Sequence, residues 1–304
     1  MSLRLSILDQ SPIPAGGAPA EALTATRQLA RSADGLGYHR FWVAEHHGAA
    51  SFAGTAPEIM VASLLEHTRR LRIGSGGVLL PRYEPLKVAE VFRVLGALHP
   101  GRVDLGIGRA GGIARDFPHR FAEVIDLLGK PYPGYTPPAV WLLGAGSGSA
   151  RLAGALGTRY AFAHFLSPRL STAALDAFQD STRHAPAQSA LAVRAVVAET
   201  EAKARELTAG FLLWRSRKDL GHNEPFPSST TVRSHRWSVE EHARACRSSQ
   251  QLVAGTPKQV KAELTRLAHA HRVDEIIVNT LTHDPVDRLR SYELLAEAFQ
   301  LAPA

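Results

Sequence analysis

Glu45-His46-His47 sets a carboxylate and two imidazoles side by side, directly after the apolar run 40–44 (RFWVA). Histidine changes charge near neutral pH and suits general acid–base work, and an adjacent carboxylate can fix its tautomer. The same triplet can also be a hydrogen-bonded structural cluster. A metal reading draws in His164, which closes the run 159–165, and His283-Asp284, which follow the run 274–279. No HExxH and no HxH pair on the first strand supports it, so no metal is expected.

Three glycine-rich strings accompany the triplet. Gly74-Ser75-Gly76-Gly77 lies inside an apolar run, where glycine marks either a bulge or the close approach of another group, such as a flat aromatic ligand. Gly106-Ile-Gly108-Arg109-Ala-Gly-Gly112 presents a guanidinium among glycines, a rigid fork for phosphate oxygens unless a carboxylate such as Asp116 takes it. Gly144-Ala-Gly146-Ser147-Gly148-Ser149 separates the run AVWLL from the helical pattern ARLAGALG. Backbone N–H groups and hydroxyls at the positive end of a helix make a phosphate site. A dinucleotide fingerprint is disfavoured, because the string follows the fifth candidate strand and the next strand ends in no ribose-binding carboxylate. A single phosphate fits better.

The elements that position these residues alternate. Candidate strands are 3–8, 40–44, 71–79, 102–107, 139–143, 159–165, 191–198 and 274–279, each nearly continuously apolar, as strands buried on both faces are. Helical patterns intervene. Thr55-Ala-Pro-Glu58, Ser238-Val-Glu-Glu241 and Thr256-Pro-Lys-Gln259 read as capping boxes, and Pro85 and Asp284-Pro285 open two further helices. Eight strand–helix units close most economically into a (β/α)8 TIM barrel, with chemistry at the carboxyl ends of the strands. One domain is expected over 1–304, with residues 210–250 an active-site loop or lid inserted after the seventh strand.

Composition narrows the function classes. The chain has 304 residues, a net charge of +7 and one cysteine, Cys246. A core of this size needs no disulfide or structural metal. The arginines are scattered and no basic run is interleaved with aromatics, so no nucleic acid is expected. No apolar stretch is of membrane-spanning length and the start has no signal-peptide pattern, so no membrane partner and a cytoplasmic location are expected.

The runs FWVAEHHG, LRIGSGGVLLPRYEPLKVAE, LHPGRVDLGIGRAGG, VWLLGAGSGSARLAGALG, GTPKQV and RLRSYELLAEAF resemble the luciferase-like monooxygenases of the bacterial luciferase superfamily. The nearest subgroup is the mensacarcin-type oxygenases of polyketide pathways. The resemblance covers nearly the whole chain in order. It implies a two-component FMN enzyme that takes FMNH2 from a separate flavin reductase. Oxygen adds to the flavin as a C4a-peroxide, and one oxygen atom passes to a small-molecule substrate. By the same resemblance His46 is the imidazole beside the flavin, with Glu45 and His47 its neighbours. Gly76–Gly77 matches a non-prolyl cis peptide beneath the ring, Gly108-Arg109 supplies the phosphate arginine, Gly146 to Ser149 form the phosphate cradle, and His164 lies against the ring. The relatives suggest a homodimer packed through the second and third helices. A departure is the short connection Ala110–Ala139, which also holds a helix over Pro118–Leu128 and leaves the flavin site more open on one side. The alternatives are an F420-dependent oxidoreductase on the same barrel and a non-catalytic flavin-binding protein.

Overall fold

A computed structural model of the chain describes residues 3–109, 115–131, 135–182 and 188–302. In chain order it forms β1 (Arg4–Asp9), α1 (Pro19–Leu36), β2 (Arg40–Val43), α2 (Pro57–His67), β3 (Arg72–Leu79), α3 (Pro85–Leu98) and β4 (Val103–Gly108). There follow α4 (Phe117–Gly129), β5 (Ala139–Gly144), α5 (Ser147–Ala155), β6 (Arg159–Ala163), α6 (Ser171–Ser181) and β7 (Ser189–Val197). Three helices then run without an intervening strand, α7 (Glu201–Asp219), α8 (Ser229–Ser234) and α9 (Val239–Ser249). The described chain closes with β8 (Leu252–Gly255), α10 (Pro257–His271), β9 (Glu275–Asn279) and α11 (Pro285–Phe299).

Every ladder is parallel, and the β6–β7 pairing closes the sheet, so β1–β7 and β9 form the eight-stranded barrel with helices between its strands. The ninth strand was not expected. β7 pairs with β9 over Leu191–Arg194 and with β8 over Arg194–Val197, so β8 continues the sheet where β9 has ended. Its four residues are too few, and too little buried, to stand out as an apolar run. The sixth strand ends at Ala163, two residues sooner than expected, and His164 and Phe165 enter the turn that follows.

Capping explains most helix starts. Ser238 Oγ accepts from Glu241 N, and the Glu241 carboxylate accepts from Ser238 N. Gln259 Oε1 accepts from Thr256 N, and Asp284 Oδ1 accepts from Val286 N. The box expected at Thr55–Glu58 does not form: α2 begins at Pro57 with Ala56 as an uncapped N-cap. There the proline's fixed φ defines the start.

The strand pleat sorts side chains into two layers. Phe41, Val43, Ile73, Leu105, Phe162 and Val193 face outward to the helices, while Leu8, Trp42, Trp141, Ala161, Ala190, Ala192 and Ile277 fill the barrel. The amino-terminal end is closed by Arg40, whose guanidinium is held by Asp104 and Glu275; Arg72 joins Asp104, and Ser6 donates to Glu275. Burial raises the Asp104 carboxyl, but the Arg40 and Arg72 guanidiniums outweigh it and hold the group below its ordinary range. The plug leaves the carboxyl ends of the strands as the open mouth.

The segment 210–250 is a packed helical cap and not a long loop. Phe211 and Trp214 of α7 and Phe226 pack with Phe52 and Leu281. Trp214 Nε1 donates to Ser51 Oγ, Phe226 N donates to Ile13 O and Ala15 N to Phe226 O, so the cap is tied to the loops after β1 and β2.

Candidate active site

Trp42 and Ala44 pack into the barrel at the end of β2, and just beyond them His46 meets Gln10 and Phe52 while the Glu45 carboxylate lies against the end of β3. His46 Nε2 lies 3.1 Å from Gln10 Nε2, and its ring rests 4.4 Å from the Phe52 ring. With the Gln10 amide donating, the neutral imidazole carries its own proton on Nδ1, which is buried and has no partner among the described residues. Burial, together with the charges of Lys218 and His47, pulls His46 down to about 4, so it is neutral at physiological pH.

Glu45 does not orient His46, as its place beside it in the sequence had suggested. Its Oε1 accepts from Tyr83 Oη at 2.8 Å and pairs with His47 Nε2 at 2.5 Å, and its Oε2 accepts from Leu79 N at 2.8 Å. Burial first, and then the hydrogen bond to Glu45, raise the Tyr83 phenol. Glu45 therefore locks the end of β3 against β2, and His47 belongs to that outer cluster. The partners of His46 are Gln10, Phe52 and Lys218, none of which the sequence had nominated.

The Gly76–Gly77 peptide is cis, and a Cβ on Gly76 would strike Leu8 and Trp42, while one on Gly77 would strike Gly106 and Leu143. Protein atoms fill the space a Cβ would take, so both positions need glycine. Gly108 ends β4 buried, and Arg109 is exposed with no hydrogen bond or ion pair to the described residues; Asp116 pairs with Arg120. Ala110 to Gly112 lie outside the described residues.

At the start of α5, Gly146 is an N-cap with no side-chain cap, and added Cβ atoms at Gly146 and Gly148 would meet open space. The amides of the first turn are left for a ligand. Ser149 differs from the expectation: its hydroxyl donates to Gly146 O at 2.8 Å and meets Tyr160 Oη at 3.2 Å, fixing the turn instead of facing outward. A Cβ on Gly144 would collide with Ser149, so glycine is needed there. Ser147 is half-buried, its hydroxyl 3.4 Å from Ala173 O.

His164 is also elsewhere. It lies in the turn after β6 and meets His271 of α10 with ring centroids 5.5 Å apart, while Phe165 packs on the barrel interior. Among the described residues no three His, Cys, Asp or Glu side chains gather at metal-ligand range. No described helix is long and apolar enough to cross a membrane.

Comparison with known proteins agrees with this architecture. The chain is 39% identical over 330 residues to the uncharacterized protein YwcH of Bacillus subtilis, covering 97% of this chain and 98% of that one. It is 33% identical to the N-acetyl-S-alkylcysteine monooxygenase of the same organism, with 97% and 98% covered. The crystal structure of apo-MsnO8 superimposes with a TM-score of 0.88 at 37% identity, over 100% of this chain and 99% of that one. The luciferase-like monooxygenase family model matches residues 3–122 and 114–275, two segments that meet in the connection between β4 and β5, where the sequence had shown its departure. On these matches and the closed barrel beneath them, the chain belongs to the luciferase-like monooxygenase family.

Proposed function

We propose that this enzyme is an FMN-dependent monooxygenase that receives reduced flavin from a separate reductase and oxidises a small organic substrate. The observation that carries the reading is the mouth itself: an uncapped α5 turn with open backbone at Gly146 and Gly148, and a neutral, half-satisfied imidazole at His46. These residues suit a flat ring carrying one phosphate. Bound reduced flavin would supply the oxygen chemistry. The chain would hold the phosphate through the α5 amides and Arg109, and hold or pass one proton at His46 Nδ1. The α7 cap would exclude water from the same volume.

Oxygen uptake and product formation with photoreduced FMN, set beside reduced F420, test the reading. Uptake with FMN and none with F420 is expected. In parallel, Arg109→Ala should weaken FMN binding by about 2–3 kcal/mol, the scale of a charge-assisted hydrogen bond. Unchanged FMN affinity in that variant removes Arg109 from the site, and turnover with F420 alone overturns the choice of flavin.

A further inference from the structure

Three arginines are buried among the described residues, and two of them are matched by carboxylates; Arg288 of α11 lies 3.3 Å from Asp9. Arg40 at the amino-terminal end is neutralised by two carboxylates. Arg194 is 6% exposed and lies at the opposite end, on the inward face of β7 after Ala190 and Ala192. Its one hydrogen bond among the described residues is Nε to Asn279 Oδ1, 3.1 Å, and no carboxylate pairs with it. The rings of Phe165 and Phe211 stand 4.8 and 4.5 Å from the guanidinium carbon. Ring faces soften a buried cation but do not replace an anion.

The neighbours increase the imbalance. Arg215 and Lys218 of α7 are near enough for their charges to be felt in this group: Arg215 acts on Arg194, and both arginines act on Lys218. Arg215 is matched by Asp219 at 3.0 Å, whereas Lys218 rests on the Phe52 and Trp214 rings and has no carboxylate partner among the described residues. Lys218 in turn acts on His46. Two unmatched cations therefore sit beneath α7 on the His46 side of the mouth.

We propose that Arg194 is the anion-binding residue of the substrate site and that the substrate carries a carboxylate, bound by the guanidinium under the α7 cap. The planar fork can donate two parallel N–H bonds to a carboxylate, and Lys218 adds a second positive charge. Placed there, the carboxylate anchors the substrate near His46 and leaves its remainder, lined by Phe52, Phe165 and Phe211, to be oxidised. This assignment rests on the monooxygenase reading for its catalytic meaning, but the binding stands separately from it.

The test is thermal shift and calorimetric titration with straight-chain and phenyl-substituted carboxylic acids, each beside its amide, with and without saturating FMN. At least one acid should bind the wild-type protein about tenfold or more tightly than its amide, with FMN present. Arg194→Gln should reduce that acid to the level of the amide, with FMN affinity changed by less than about twofold, and Arg194→Lys should recover part of it. Unliganded Arg194→Met should melt no lower than the wild type, because an unmatched buried charge is removed. Equal binding of every acid and amide pair overturns the proposal, as does a large loss of stability in Arg194→Met. Competition between the acids and FMN, with weakened FMN binding in Arg194→Gln, assigns Arg194 to the flavin instead. If FMN does not bind while the acids still discriminate, the flavin reading fails and the carboxylate site stands.

Discussion

At the residue scale, adjacent side chains have separate tasks. His46 sits inward with one ring nitrogen engaged by Gln10 and the other free, while Glu45 turns outward and binds Tyr83, His47 and the backbone of Leu79. A neutral imidazole with an unengaged nitrogen can hold or pass a proton without importing charge into the mouth. His46→Ala should keep FMN affinity, because the proposed phosphate anchors, Arg109 and the first turn of α5, lie elsewhere, while substrate oxidation falls by roughly 10²–10⁴-fold and oxygen uptake is diverted to hydrogen peroxide. Peroxide and product assays on one sample decide it; normal coupling in the variant makes His46 a packing residue. Glu45 was nominated because it adjoins His46 in sequence, but neighbours on an extended chain point to opposite faces, so adjacency argued against their contact.

At the element scale, the end of β6 decides His164. The strand stops at Ala163, and in the turn that follows His164 packs against α10, where burial first and His271 second pull its ring down to about 4. Buried neutral, it favours the folded state only while the unfolded chain is also unprotonated. That contribution is full above the unfolded value of 6.5 and declines as pH falls from there towards about 4. Between about pH 7.5 and pH 5, wild-type protein should lose roughly 1 kcal/mol more stability than His164→Gln, after a twofold discount for solvent reaching the ring. Urea midpoints at the two pH values measure it, and parallel curves would show that the ring titrates freely. FMN affinity should be the same in both proteins. The insertion after β7 shows both sides of local reading: Gly221, Pro225 and Pro227 do lie in the connection between α7 and α8, whereas the seating of α7 on Phe52 through Phe211 and Trp214 is not written locally.

At the scale of the whole molecule, a closed barrel leaves its outer helices to meet solvent or a partner. Leu86, Val94 and Leu98 repeat along one face of α3 at 52%, 58% and 69% exposure, and Ile59 of α2 is 66% exposed. We propose that this face joins two copies of the chain. Val94→Glu/Leu98→Glu should then halve the mass found by light scattering while leaving the barrel folded, since neither side chain is buried. A wild-type protein that is already monomeric at assay concentrations excludes the interface.

The sequence by itself determined the alternation of apolar runs and helical patterns, hence a parallel barrel, and the positions of its glycine-rich turns, because burial on both faces and turn chemistry are written locally. It also carries a lone arginine in the apolar run LAVRAVVA. Only the tertiary structure decided which residues share the mouth. Gln10, Phe52, Arg194 and Lys218 come from β1, β2, β7 and α7 or the loops beside them, and they converge because β1 lies between β2 and β9, β9 lies beside β7, and α7 folds across the strand ends. Strand order and the seating of the cap are non-local, and whether a buried charge is matched depends on them: Arg40 meets Asp104 and Glu275, while Arg194 meets no carboxylate among the described residues.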